Sequence, residues 1–121
     1  MKKMLIISKI SDSKDFTAIF EKQGVEMKQT EDMKEALEIA EEWQPGVLLF
    51  ITPVYWESIL EFVEKIRAIP EMERAGIMYI GRMIEGAELR LLQQYDVKTM
   101  ALGPVPKEEM ARFIYGMFPA W

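Results

Sequence analysis

Histidine, cysteine and asparagine do not occur anywhere in the 121-residue chain. Without histidine there is no Ser-His or Cys-His couple to activate a nucleophile, no imidazole ligand for a metal and no phosphohistidine intermediate. Without cysteine there is no disulfide, no thiolate zinc site and no thiol redox switch. Without asparagine there is no acceptor for N-glycosylation. Long apolar runs are missing too, and none approaches the ~20 residues that a bilayer-spanning helix needs. The opening Met1-Lys2-Lys3-Met4-Leu5-Ile6-Ile7 has the charge-then-apolar order of a secretory leader, but Ser8-Lys9 interrupts it before a leader's apolar core is complete. It reads as a first strand, and a cytoplasmic location follows by default, with no insertion in a membrane. Positive charge is in deficit: 15 Lys and Arg stand against 20 Asp and Glu, a net charge of -5. Nucleic-acid binding needs clustered cations to displace counterions, and Lys2-Lys3 is only a pair, so no nucleic-acid partner is expected.

What is present is a core. Half of the residues are hydrophobic, which suits one packed domain spanning 1–121. The chain is organised around Pro45-Gly46-Val47-Leu48-Leu49-Phe50-Ile51-Thr52-Pro53. Between the prolines the apolar residues follow one another without alternation. A strand with one wet face alternates, whereas a strand covered on both faces does not. The stretch therefore reads as the central strand of a parallel sheet with helices on both sides.

The remaining elements fall in line with it. Residues 4–8 form a second uninterrupted strand. Asp12 and Asp15 read as the capped start of a helix whose inner face carries Phe16, Ile19 and Phe20, stopped by Gly24. Residues 25–29 alternate, as an edge strand does. Asp32 and Glu35 open a second helix over Met33, Ala36, Leu37, Ala40 and Trp43. Ile59, Phe62, Val63, Ile66 and Ile69 mark a third helix closed by Pro70, followed by a charged connection over 71–76. Residues 77–80 are a strand ended by Gly81, and residues 85–95 a helix with Leu89 and Leu92 inward, and Leu91 either inward or on the outer face. Residues 99–102 are a short strand. Pro106 sits in the first turn of a last helix with Met110, Phe113, Ile114 and Met117 inward. Strands alternating with helices, joined by right-handed crossovers, give an α/β fold: a three-layer, doubly wound, parallel five-stranded sheet of flavodoxin-like order 2-1-3-4-5.

That order, together with the approach Gln44-Pro45-Gly46-Val47-Leu48-Leu49-Phe50 and the turn Gly103-Pro104 before Lys107-Glu108-Glu109-Met110, resembles the receiver domain of two-component response regulators. The resemblance covers nearly the whole chain. It implies phosphoryl transfer onto an aspartate assisted by Mg²⁺, with an acidic pair after the first strand and the acceptor at the end of the third. A hydroxyl after the fourth strand and a lysine after the fifth contact the phosphoryl oxygens. These groups neutralise the charge that builds on the transferring group. Carried over by position, each part is absent. The acidic pair falls on Ser8 and Lys9, the acceptor on Ile51 or, one register along, on Thr52. The hydroxyl falls on Gly81, the lysine on Gly103 and the aromatic switch residue on Met100. The resemblance thus implies a pseudo-receiver: no phosphorylation, no metal, no cofactor and no catalysis, with output through protein partners in a signalling pathway.

Other readings of the same residues stand beside it. Thr52 is a substitute phosphoacceptor or a hydroxyl bonded to its own loop. Lys9 replaces the metal's charge or points to solvent. Asp12 and Asp15 supply metal oxygens or cap a helix. Ser8, Ser11 and Ser13 receive the phosphate of a nucleotide or flavin in a flavodoxin-type domain, although the glycines that let a phosphate approach the backbone are missing there. The candidate interaction surface has two parts. Tyr55 and Trp56 follow the central strand. Glu88, Arg90, Leu91, Gln94, Lys98 and Arg112 lie on the face of the fourth helix, fifth strand and fifth helix, where the resemblance places homodimer and partner contacts.

Overall fold

Apolar residues on both sides of a strand demand cover on both sides, and the fold supplies it. The computed structural model describes residues 2–51, 56–81, 86–101 and 106–118. Within them the chain runs β1 (Lys3–Ile7), α1 (Ile10–Lys22), β2 (Glu26–Thr30), α2 (Met33–Trp43), β3 (Val47–Ile51), α3 (Trp56–Arg67), a 3-10 turn (Pro70–Met72), β4 (Gly76–Gly81), α4 (Gly86–Gln94), β5 (Val97–Ala101) and α5 (Lys107–Tyr115). The strands are parallel and ordered β2-β1-β3-β4-β5, as expected.

Alternation is present in the central strands, but between two dry faces. In β1, Met4 and Ile6 face one apolar layer while Leu5 and Ile7 face the other. In β3, Val47, Leu49 and Ile51 oppose Leu48 and Phe50, and in β4, Met78 and Ile80 oppose Ile77 and Tyr79. α1 and α5 close the first layer with Phe16, Phe20, Met110 and Ile114. α2, α3 and α4 close the second with Ala36, Ala40, Phe62, Ile66 and Leu92. Phe50 and Phe62 meet edge to face at 5.4 Å between ring centres, fastening β3 to α3.

Two caps behave as their residues suggest. Asp32 accepts a hydrogen bond from the Lys34 amide at 3.0 Å, one of the free donors in the first turn of α2. Gly24 takes φ +77°, the left-handed conformation that glycine adopts without steric cost, and α1 stops before it. The start of α1 corrects the sequence reading. The helix begins at Ile10, with Lys9 as a cap residue that lends no side-chain bond, so Asp12 lies inside the first turn rather than capping it. β5 likewise starts at Val97, two residues before the expected strand, because an edge strand tolerates the exposed Lys98 within it. Pro106 is the cap residue of α5 and not its first turn.

The charged connection after α3 is more ordered than charge alone suggests. Met72 is buried, and Arg67 reaches back to hold the segment. Its guanidinium donates to the carbonyls of Tyr95 (3.0 Å), Met72 (3.2 Å), Glu73 (3.1 Å) and Ala75 (2.8 Å). Burial pushes its pKa down from the usual arginine range, and the charge of Asp96 pushes it back up. Arg67→Met keeps the stem but strands four carbonyls. We expect a loss of about 2–3 kcal/mol in urea unfolding, against little change for Arg74→Met, whose side chain lies at an exposed position.

Candidate functional site

In a parallel sheet of this order the carbonyl ends of the strands form one edge, and ligands gather there. β1 ends at Ile7 and is followed by Ser8 and Lys9, β3 ends at Ile51, and β4 at Gly81. Thr52, Tyr55 and Gly103 lie outside the described residues, and so does the outcome for each of them.

Ile51 is the last residue of β3 and is 1% exposed. It belongs to the apolar layer of Ile6, Phe16 and Ile80, so its side chain is part of the core. Gly81 pairs with Ala101 and is buried, with no side chain to offer. Met100 is half-buried and packs on the layer beneath α1 and α5. Trp56 opens α3.

The corner after β1 is polar and occupied by the protein's own groups. Ser8 and Ser13 are both buried. The Ser8 hydroxyl donates to the Lys9 carbonyl at 2.9 Å, and the Ser13 hydroxyl to the same oxygen at 3.4 Å. The Gln29 amide, arriving from β2, donates to the Ser13 hydroxyl at 2.8 Å and to the Ser8 carbonyl at 3.2 Å, with the Ser8 hydroxyl at 3.5 Å. The Lys9 residue is exposed. A divalent cation such as Mg²⁺ wants several anionic or carbonyl oxygens, and no group of acidic or other metal-ligating side chains converges among the described residues. The described groups at this corner do not suit the ion; the side chain of Asp12 lies outside them.

Asp15 lies one turn further along α1 and is bonded to Lys107 at the start of α5, 2.6 Å away. The hydrogen bond from Lys107, then its charge, holds the Asp15 carboxyl below its ordinary range. A depressed folded-state pKa contributes stability above the unfolded pKa and loses it as pH falls through the folded one. The pair is exposed, so the contribution is small and screened by salt. The stability difference between wild type and Asp15→Asn, followed by urea unfolding from neutral to acid pH, is expected to shrink as the Asp15 carboxyl protonates.

The second candidate surface is built by α4, β5 and α5. Arg90, Gln94, Lys98 and Arg112 are exposed, Glu88 is half-buried and Leu91 is 38% exposed. Lys98 pairs with Asp96 at 3.1 Å. One residue of this face escaped the sequence reading. Phe113 was expected inward but is 50% exposed, because the buried stripe of α5 rotates toward Ala111. With Gln93, Thr99 and Met100, Phe113 lines a depression of about 290 Å³ that also touches Lys98. The adjacent small Ala111 was the available signal: it packs closely where a charged neighbour such as Arg112 does not.

No protein-family model matches the sequence, and no curated protein sequence matches it. Solved structures do. The chemotaxis protein CheY4 of Vibrio cholerae superposes with a TM-score of 0.81 at 17% identity, over 98% of this chain and 99% of that one. The beryllofluoride-activated receiver domain dimer of NtrC4 gives 0.81 at 16% identity, over 98% and 97%. The receiver domain of a Pseudomonas aeruginosa sensor histidine kinase, with magnesium coordinated in its active-site cleft, gives 0.73 at 14%, over 96% of each chain. This chain has the response-regulator receiver fold. At these identities the likeness establishes the fold, and the chemistry rests on the residues that the receiver fold brings to its carbonyl edge. Among the described residues, no helix is long and apolar enough to cross a membrane.

Proposed function

We propose that this chain, over 1–121, is a non-enzymatic receiver-type signalling module that acts through protein contacts without being phosphorylated. The observation that carries the reading is Ile51: the position to which the receiver resemblance assigns the acceptor is an alkyl side chain buried in the core. Phosphoryl transfer also needs a cation and a counter-charge at the same edge. The corner after β1 offers hydroxyls engaged with Gln29 and the Lys9 carbonyl, and β4 ends in Gly81. The same engagement of Ser8 and Ser13 speaks against a flavin or nucleotide phosphate at that corner.

Output then passes through a surface. The α4–β5–α5 face combines exposed apolar groups, Leu91 and Phe113, with exposed Arg90, Lys98 and Arg112, a composition suited to a protein partner or a second copy in the cytoplasm. The test is incubation with a small phosphodonor such as acetyl phosphate and Mg²⁺, read by intact mass. No phosphoryl adduct is expected. A Mg²⁺-dependent adduct would overturn the reading, and its loss in Thr52→Ala would locate the acceptor at Thr52.

A further inference from the structure

Three oxygens surround one nitrogen at the corner between β1 and α1. The Gln29 amide nitrogen lies 2.8 Å from the Ser13 hydroxyl, 3.2 Å from the Ser8 carbonyl and 3.5 Å from the Ser8 hydroxyl. A backbone carbonyl only accepts, so the nitrogen, and not the oxygen, of this carboxamide faces Ser8. The Ser8 hydroxyl donates to the Lys9 carbonyl at 2.9 Å and the Ser13 hydroxyl lies 3.4 Å from the same oxygen, an arrangement that leaves lone pairs on both for Gln29. No buried side-chain nitrogen or oxygen among the described residues lacks a partner. Two hydroxyl oxygens and one carbonyl oxygen are acceptors of the kind that a small monovalent cation such as ammonium would meet.

We infer that the neutral Gln29 carboxamide takes, through its N–H donors, the place that a cation would hold at this corner. Its amide dipole, delivered from the edge strand β2, locks the turn between β1 and α1 without a bound ion. Gln29 thus positions the first helix, and the exposed ammonium of Lys9 is not needed for it. The inference stands apart from the proposed function, because it describes the corner whether or not a phosphoryl group is ever attached elsewhere.

The test uses the intact chain. Gln29→Leu keeps the size and removes the donors; its folding equilibrium constant is expected to fall by about tenfold or more, with faster amide exchange at Ser13. Ser13→Ala removes one arm and tests the same contact if Gln29→Leu does not fold. Gln29→Ala leaves room for a small cation. Ammonium chloride is expected to raise its urea midpoint above that in equal tetramethylammonium chloride, whose ion is too large to enter, while wild type responds to both salts alike. The clasp is overturned if Gln29→Leu matches wild type in stability and exchange, or if the Gln29→Ala response to the two salts is the same. It is also overturned if Mg²⁺ alone shifts the wild-type amides of Ser8 and Ser13. Phosphoryl incorporation by the intact chain would refute the proposed function and leave the clasp standing.

Discussion

Ile51→Asp is expected to cripple folding rather than restore phosphorylation. Ile51 is 1% exposed and lies among Ile6, Phe16 and Ile80. The substitution removes a buried alkyl side chain and places a carboxylate in its position. An unpaired ionised carboxylate in an apolar layer is costly enough that the group prefers to stay protonated. Adding the lost burial to that penalty, we expect about 4 kcal/mol or more of destabilisation, near the upper limit for single substitutions. The introduced carboxyl has a raised folded-state pKa, so the variant should regain stability as pH falls, the reverse of a carboxylate held by a cation. Ile51→Val, a one-methylene loss, should cost only about 1 kcal/mol. The check is a urea series at neutral and mildly acid pH on all three proteins. If the Asp variant is as stable as the Val variant and gains a Mg²⁺-dependent phosphoryl adduct, the edge is an intact receiver pocket lacking one residue.

Phe50→Ala has the second large effect. Phe50 is fully buried one residue earlier on the same strand, pairs in register with Ile7 and Tyr79 on the neighbouring strands, and meets Phe62 edge to face. Removing it empties the centre of the layer under α2 and α3. Phenylalanine-to-alanine changes in cores cost about 3–5 kcal/mol, and the ring pair lost here adds to the upper part of that range. Calorimetry should show the melting temperature falling by more than about 10 °C. Phe113→Ala, on the exposed end of the same residue type, should leave stability nearly unchanged. If Phe113 marks a partner surface, the same change should weaken association in a sedimentation or pull-down comparison.

The architecture was legible because burial on two faces leaves a distinctive trace. β1 and β3 lack polar alternation and are central, whereas residues 25–29 alternate and belong to the edge. Asp32 was readable as a cap because a carboxylate before an apolar helical stripe has a local partner, the Lys34 amide. The misses share a cause: each depends on a neighbour distant in sequence. Gln29 looked like one more polar residue of an edge strand. Its meaning arises only when β2 is laid beside β1, sixteen residues from Ser13 along the chain. Arg67 carries no sequence signal of its role, because the four carbonyls it holds are brought to it by the fold. Phe113 fitted a helical stripe that tertiary packing had turned toward Ala111.

At the candidate site, the missing chemistry was more legible than any chemistry present. A carboxylate, a lysine or a hydroxyl is either in the sequence at a strand end or it is not, and Ser8, Lys9, Ile51 and Gly81 are as the chain spells them. The direction of those side chains was not readable. The burial of Ile51 in the core and the engagement of Ser8 by Gln29 are properties of packing.

The most direct measurement is a titration of the ¹⁵N-labelled chain with Mg²⁺ and beryllofluoride, a phosphoryl mimic, followed by amide NMR and by tryptophan emission. The expected result is no saturable shift at the amides of Ser8, Ile51 and Gly81, and no change in emission. A saturable, Mg²⁺-dependent shift centred on those amides would contradict the account, since it would mean that the carbonyl edge still binds a phosphoryl group and a metal.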